Sequence, residues 1–586
     1  MKLYQLLLPV CLLFTACIDD LNVEPDFISE RSVFEEEALA EAYMASLYQS
    51  VRFIDLREQS GLNMGLISSV GAEHINFANW QTPNQAFLRT YSQETGGGPL
   101  NYWAYSSIRD MNYLLENIIN SENLSEEFIS EKVFETRWLR AYTYFEMVKR
   151  YGGVPLILRV QDEDDPQEEL FPLRNTEQQV YDFIDAEMAD LIANMPDERR
   201  GAAGRIDKYA ALALRSRSQL YAASIARFGT MSQDGTVGIP AAMAPDYYRK
   251  SYEASGALME SGQFSLFSEL EDPADNFGQL FLSEGLGNPE IIFSEIFEPE
   301  IKGHSLDLLG HPDGFGTQWN SNFPVLYDFV ELFEWRDGRA PVSRSELTKN
   351  NDWDIQDFFG ARDPRFVASV FYPQTAWREQ EVYFHTNTTY TNAAGETVTE
   401  NSGIINKDGM LWPASGPKRN IRNTALLLRK RLDPTIPLES IRGGGSGTDY
   451  FVFRYGEILL NRAEAAFYLG EVDEALDLIN QIRERAGMFA LETLDEAAIR
   501  RERQVELAFE NHRYWDLKRW RTAVETMDGV RMKGLVFEYN LDTDRYVITL
   551  KNAETQDRAF GPERYYLPIN QDIISDNPMI RQNPGY

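Results

Sequence analysis

The chain has 586 residues, 43% of them hydrophobic and 12% aromatic, which is enough apolar material for a large folded core. A formal net charge of −35 would repel a phosphate backbone from most of the surface, which argues against nucleic acid as a partner. Only Cys11 and Cys17 carry thiols, so no disulfide framework, thiolate metal site or cysteine nucleophile is available beyond residue 17.

Lys2, the apolar run Leu6 to Phe14 and the small residues before Cys17 read as a signal peptide over residues 1–16. The run is shorter than the roughly 20 residues that a bilayer span needs. Thr15-Ala16-Cys17 resembles a lipobox, whose cysteine becomes the acylated N-terminus, although Phe14 stands where an aliphatic residue is usual. Ile18 to Pro25 is polar and aperiodic and reads as a short tether.

Apolar residues at helical spacing predict helices near 35–52, 102–120, 131–150, 177–194, 207–228, 246–261, 325–334, 450–469, 472–486 and 496–524. Thr176 to Gln179 and Thr493 to Glu496 have capping-box spacing, and Gly152, Gly262 and Gly487 sit where helices should stop. Ala463, Ala466 and Ala475 flank Gly470 as small residues flank the turn of a tetratricopeptide pair. Residues 205–228 and 247–262 form a weaker second pair, and Trp103 opens a helical pattern as a core residue. Between about 263 and 450 the periodicity fails, and Gly, Pro, Asn, Asp and aromatics take over. Alternation predicts hairpins over 381–400 and 535–550. The expected fold is mainly α: a tetratricopeptide-like α-solenoid body with a loop-rich face and a few short β-hairpins, forming one domain over 17–586.

Several blocks carry a resemblance: Cys17 to Pro25, Arg137 to Phe145 with Tyr151 to Pro155, Gly360 to Phe366, Arg454 to Ala465, Ile479 to Gly487, Arg501 to Trp520, and Tyr566 to Ile569 with Asn577-Pro578. In that order they resemble the SusD/RagB lipoproteins, which bind nutrients on the surface of Bacteroidetes-type bacteria. The resemblance implies a non-enzymatic, cofactor-free receptor anchored by lipid to the outer membrane and facing the exterior. It also implies an oligosaccharide ligand and a SusC-like TonB-dependent transporter as partner. Peptide import on the same fold and a surface glycoside hydrolase are the alternatives. Most of the matched residues read as architecture, with Glu510 to Arg513 and Asp516 to Arg519 spaced to pair on one helix.

No catalytic constellation is visible. His74, His304, His311, His385 and His512 form no HExxH motif, and the glycines and proline around His304 and His311 argue against a metal pair. Gly443 to Gly447 lacks the Lys-Ser/Thr of a phosphate loop and reads as flexible, and Asp162 to Asp165 reads as a solvated loop without EF-hand spacing. Sugar receptors need flat aromatic platforms with polar groups at the rim. Two loops supply that mixture: Phe77, Asn79, Trp80 and Gln81 with Arg89 and Tyr91, and Phe315, Gln318, Trp319 and Asn320. Core packing is the competing reading for both tryptophans. Lys418, Arg419, Arg422 and Arg429 to Arg431 are expected to pair with surrounding carboxylates, with an anionic sugar as the other reading.

If Cys17 is the lipid attachment site, labelled fatty acid enters the wild-type protein and not Cys17→Ser; equal labelling of the two would rule out the anchor.

Overall fold

A computed structural model describes residues 32–59, 62–66, 100–199, 204–315, 320–349, 352–412, 424–554 and 556–586. The lipobox, the tether and all candidate ligand residues between 77 and 91 lie outside these segments, as do Gln318 and Trp319. Within the described residues no helix is long and apolar enough to cross a membrane.

The helical half begins with α1 (Glu37–Ser50), a short hairpin of β1 (Leu56–Gln59) and β2 (Leu62–Leu66), α2 (Tyr105–Asn117) and α3 (Glu126–Tyr151). There follow α4 (Glu177–Asn194), α5 (Lys208–Phe228) and α6 (Ala244–Glu260). Helix α3 starts five residues before the periodicity predicts, because the Ser125 side chain caps it and Glu126 and Glu127 favour the positive end of its dipole. The capping box at Thr176 and Gln179 forms as expected. Trp103 lies just before α2 and is half-buried, packed edge-on against Tyr151.

Neighbouring helices pack in series, α3 on α4, α4 on α5 and α5 on α6, and α6 then meets α10 (Tyr455–Leu469), which pairs with α11 (Val472–Arg485). This is the solenoid expected from the small-residue pattern. Ser216 and Ser255 Oγ approach to 2.7 Å across α5 and α6, and Asn461 of α10 donates to Ser216. Gly470 closes the α10–α11 turn at φ +96°, a left-handed conformation that disfavours any other residue.

The irregular half contains α7 (Pro273–Leu280), β3 (Ile291–Glu295), the single-turn α8 (Leu306–Gly310) and α9 (Pro364–Ser369). Around them lie the short strand pairs β4 (Val370–Phe371) with β9 (Leu427–Leu428) and β5 (Thr375–Trp377) with β6 (Gln380–Val382). A four-stranded sheet is assembled from β7 (His385–Thr391), β8 (Thr397–Glu400), β11 (Lys533–Asn540) and β12 (Arg545–Asn552), in the order β12-β11-β7-β8. Both expected hairpins are present in it, the first from 385 because 380–382 pairs with β5 instead.

Three helix assignments from the sequence are corrected. The segment 450–469 divides at Arg454, since β10 (Tyr450–Arg454) pairs antiparallel with β3 before α10 begins. The segment 496–524 breaks into α12 (Glu496–Glu506) and α13 (Arg513–Arg519), because Phe509 and Asn511 adopt positive φ between them. Asp495, not Thr493, caps α12. The segment 325–334 retains only one α-helical turn, Tyr327–Val330.

The break after α12 serves a buried ion network. Glu506 receives Arg365 Nη1 at 2.9 Å, Arg454 Nη1 at 2.8 Å and Arg485, while Glu502 receives Arg365 at 2.6 Å and Arg483 at 2.9 Å. Arg454 also reaches Glu290 at 3.0 Å and Glu510 at 2.7 Å. Glu510 therefore pairs with Arg454 and Lys430 rather than with Arg513, whereas the expected Asp516–Arg519 pair forms at 2.8 Å. Although burial opposes its charge, the Arg485, Arg454 and Arg365 guanidiniums hold the Glu506 carboxyl well below its ordinary value of 4.5.

Glu506→Gln leaves three guanidiniums short of one counter-charge and is expected to cost roughly 3–5 kcal/mol in urea unfolding. Because the folded pKa lies below the unfolded one, this stability is fully present above the unfolded value and is lost as pH falls through the folded one. A wild-type protein whose acid unfolding midpoint matches that of Glu506→Gln would contradict the assignment.

Candidate functional site

Helix α8 leads directly into the second aromatic loop, whose base is closed by backbone hydrogen bonds. Ser321 N–H donates to His311 O and Asn322 N–H to Leu309 O, both at 2.8 Å. Asp313 N–H donates to Ser321 Oγ at 3.1 Å, and Asn320 Nδ2 donates to Asp313 Oδ1 at 3.0 Å. The returning chain is tied to the β9 region by Val325 N–H to Leu426 O and Leu428 N–H to Phe323 O, each 2.9 Å. The stem is thus built on the same short strands that border the ion network.

Beneath it lies an aromatic floor. The His311 ring meets Phe315 at 6.0 Å and Trp377 at 5.5 Å, Phe315 meets Trp412 at 5.9 Å, and Trp412 meets Tyr383 at 5.5 Å. Gly314 sits against the Trp412 indole at φ +108°, where a Cβ would fall 2.6–2.8 Å from three ring atoms. Only glycine lets the loop turn over that ring.

Trp377 Nε1 donates to His311 Nε2 at 3.1 Å. Indole nitrogen can only donate, so this places the His311 proton on Nδ1 and makes the ring neutral. Burial, and then the nearby charge of Arg378, depresses the His311 pKa to about 4, so the pair persists at neutral pH.

Of the sequence-derived candidates, Phe315 and Asn320 are buried at the base of the loop, where they hold its shape rather than face solvent. Their composition suited a binding loop, and the tertiary structure gives them packing and hydrogen-bonding work. Phe77, Asn79, Trp80, Arg89, Tyr91, Gln318 and Trp319 lie outside the described residues. The N-terminal flanks of the two loops do meet: β2, after which residues 67–99 begin, contacts α8, after which the 311–322 loop begins.

Sequence reasoning missed Trp377, Tyr383 and Trp412 as parts of this floor. They lie far apart in the chain, and only the contacts of Trp377 and Trp412 with the 311–315 stem, and of Tyr383 with Trp412, reveal them.

The remaining candidate chemistry is structural. His304 Nε2 bonds Thr448 O at 2.9 Å, and burial depresses its pKa to about 3. His385 Nε2 meets Thr388 Oγ1 at 2.9 Å, but both residues are fully buried and out of reach of a substrate. Among the described residues no group of three His, Cys, Asp or Glu side chains could hold a metal ion. The glycine-rich segment 443–447, expected to be flexible, is pinned by reciprocal 2.9 Å bonds between His304 and Ser446 backbones and by Gly444 N–H to Ser305 Oγ. In the acidic run, Asp165 pairs with Arg159 at 2.8 Å in an exposed turn.

Comparison with known proteins places these features in a family. Residues 289–586 match the model described as SusD family, and residues 20–220 match one described as starch-binding associating with outer membrane. A SusD-like protein of Formosa agariphila is 23% identical over 502 residues, 82% of this chain and 78% of that protein. Among solved structures, a SusD-like protein from Bacteroides fragilis superposes with a TM-score of 0.70 at 22% identity, covering 97% of this chain and 100% of the other. A SusD-like carbohydrate-binding protein from Bacteroides fragilis gives 0.67 at 21% identity, covering 94% and 100%. A laminarin-binding SusD-like protein gives 0.60 at 20% identity, also covering 94% and 100%.

Trp377→Phe keeps an aromatic ring but removes the donor to His311 and leaves a buried nitrogen unpaired. It is expected to lower stability by about 1–3 kcal/mol in urea unfolding. An unchanged midpoint would show that the hydrogen bond does not hold the stem.

Proposed function

This chain belongs to the SusD family, and from that premise we propose that it captures an oligosaccharide or polysaccharide nutrient at the cell surface and passes it to a SusC-like TonB-dependent transporter in the outer membrane. The observation that supports the reading is the contact between β2 and α8, which lie just before the two aromatic segments in the chain. Trp80 and Trp319 would present flat apolar faces to sugar rings, with Asn79, Arg89 and Gln318 hydrogen-bonding their edges. One domain over 17–586, tethered through a lipid on Cys17, would hold this face within tens of ångströms of the bilayer, at about 3.3–3.6 Å per extended tether residue.

The protein acts by binding rather than by catalysis. In support, the histidines described above are packed in the interior, and the carbohydrate-binding and laminarin-binding names of two structural relatives point to glycans. An aromatic platform covering some 50–100 Å² of sugar contributes on the order of 1–2.5 kcal/mol. Two or three platforms, less the cost of ordering the ligand, give dissociation constants of about micromolar to millimolar. Such weak binding exchanges fast, which suits handing the ligand on.

A glycan array should show a defined set of glycans bound and none cleaved. Trp80→Ala and Trp319→Ala should each weaken calorimetric binding without lowering the melting temperature; normal binding by both would place the site elsewhere. Tagged protein from gently solubilised membranes should recover a large β-barrel protein, and deleting either gene should slow growth on the cognate glycan. Normal growth of both deletion strains would overturn the delivery step.

A further inference from the structure

Most arginines of the interior follow one rule. Arg217, Arg365, Arg454, Arg483, Arg485, Arg503 and Arg519 each lie within ion-pair distance of a carboxylate, as an acidic chain readily allows. Arg174 and Arg362 meet carbonyl oxygens instead, whereas Arg429 and Arg431 break the rule with donors left over. Lys430 between them pairs with Glu510 at 2.7 Å, but neither arginine has a carboxylate within 4 Å among the described residues. Arg429 makes a single hydrogen bond, from Nη1 to Val367 O at 3.2 Å, leaving Nε and Nη2 without an acceptor among the described residues. Arg431 Nη2 donates to Thr448 O at 3.0 Å and Asp449 O at 3.1 Å, both neutral carbonyls, and its buried Nε has no partner. The expectation that this basic stretch pairs with carboxylates therefore holds for Lys430 and fails for its two neighbours.

Both side chains line a cavity of about 280 Å³ between α7 and the 429–434 segment. That is near the lower end of the range for small-molecule sites, with room for about one sugar ring. Trp377, Val367, Ala368 and Leu432 supply apolar walls. Asp275 of α7 stands at the mouth as the opposing charge, exposed and too far from either arginine for an ion pair. Burial of the two guanidiniums pushes both pKa values down, although arginine remains cationic at any physiological pH. Two desolvated cations with unspent donors beside an apolar wall match an oxyanion carried on a sugar ring.

We propose that the cavity between α7 and the 429–434 segment is a second glycan subsite, specific for an acidic sugar whose carboxylate or sulfate is held by Arg429 and Arg431 and whose ring lies against Trp377. The specificity rests on the glycan-capture reading, but the pocket's affinity for an acidic sugar does not. Trp377 also donates to His311 in the stem of the aromatic loop, so the subsite lies next to the candidate capture face. A charged residue of a bound chain would be recognised here while neighbouring residues rest on the loops.

The purified full chain is titrated by calorimetry with three probes: an oligogalacturonate, its fully methyl-esterified form, and a sulfated galactan oligosaccharide. Binding of either acidic probe, at least roughly tenfold tighter than the ester, is expected, and the acidic probe that binds identifies whether carboxylate or sulfate is the natural group. Arg429→Gln, which loses one hydrogen bond and the guanidinium's contacts with the Phe371 and Trp377 rings, should weaken the acidic probe by about tenfold or more while the protein still unfolds in one cooperative transition. Arg429→Lys should restore part of the loss, and Asp275→Asn should tighten binding by roughly two- to threefold. Equal binding of acid and ester, binding of neither acidic probe, or normal acidic binding by Arg429→Gln would overturn the subsite. A Trp80→Ala, Trp319→Ala double variant separates the two readings: retained acidic binding supports a pocket that works without the loops, and complete loss in that variant overturns it.

Discussion

The structure depends on one shared carboxylate. Glu506 sits fully buried at the end of α12 and accepts from Arg365 of the irregular half, Arg454 at the β10–α10 junction and Arg485 of the solenoid. Each of these charges has been stripped of water, so each is tolerable only while its partners stay in place. Glu290, just before β3, joins through Arg454 and Arg485, and Glu502 joins through Arg365 and Arg483. The helical stack and the loop-rich half are thereby fixed to one another by directional pairs, in addition to the non-directional packing of a continuous apolar core.

That attachment explains how a segment so poor in regular structure can carry a binding face. Loops position ligand groups well only when their stems are rigid. Here the 311–322 stem is bonded to the β9 region, β9 pairs with β4, and β4 continues directly from α9, where Arg365 enters the network. The chain of contacts from Glu506 to the aromatic floor runs through hydrogen-bonded backbone at nearly every step. A receptor that must release its ligand quickly gains from such a scaffold, because little ordering free energy is spent on binding and none has to be recovered on release.

The basic segment after β9 shows how one short sequence divides its work. Lys430 turns inward to Glu510 and belongs to the network, while Arg429 and Arg431 flank the cavity beside α7. Beyond β9 the backbone enters a turn closed by Leu432 N–H to Arg429 O at 3.0 Å, with Arg431 at φ +68°, and the three consecutive cations leave it in different directions. The carboxylates nearest the other two, Asp275 for Arg429 and Glu510, Asp449 and Asp307 for Arg431, stay beyond ion-pair distance.

From sequence alone, the solenoid was legible because it rests on local signals: apolar spacing, the Thr176 capping box, Gly470 at its turn and the small residues of α10 and α11. The family was legible too, since the blocks Gly360 to Phe366, Arg454 to Ala465, Ile479 to Gly487 and Arg501 to Trp520 keep their order; the structure shows that these blocks contain most of the ion network. What sequence could not decide was where those charges find partners. Glu510 was matched to Arg513 three residues away, yet it pairs with Arg454, 56 residues off, because the helix breaks at Phe509 and turns the carboxylate inward. Phe315 and Asn320 became stem residues, and Trp377, Tyr383 and Trp412 joined them, for the same reason. Periodicity reports contacts within an element, whereas ion pairs and aromatic floors are made between elements far apart in the chain, and only the tertiary structure brings them within reach.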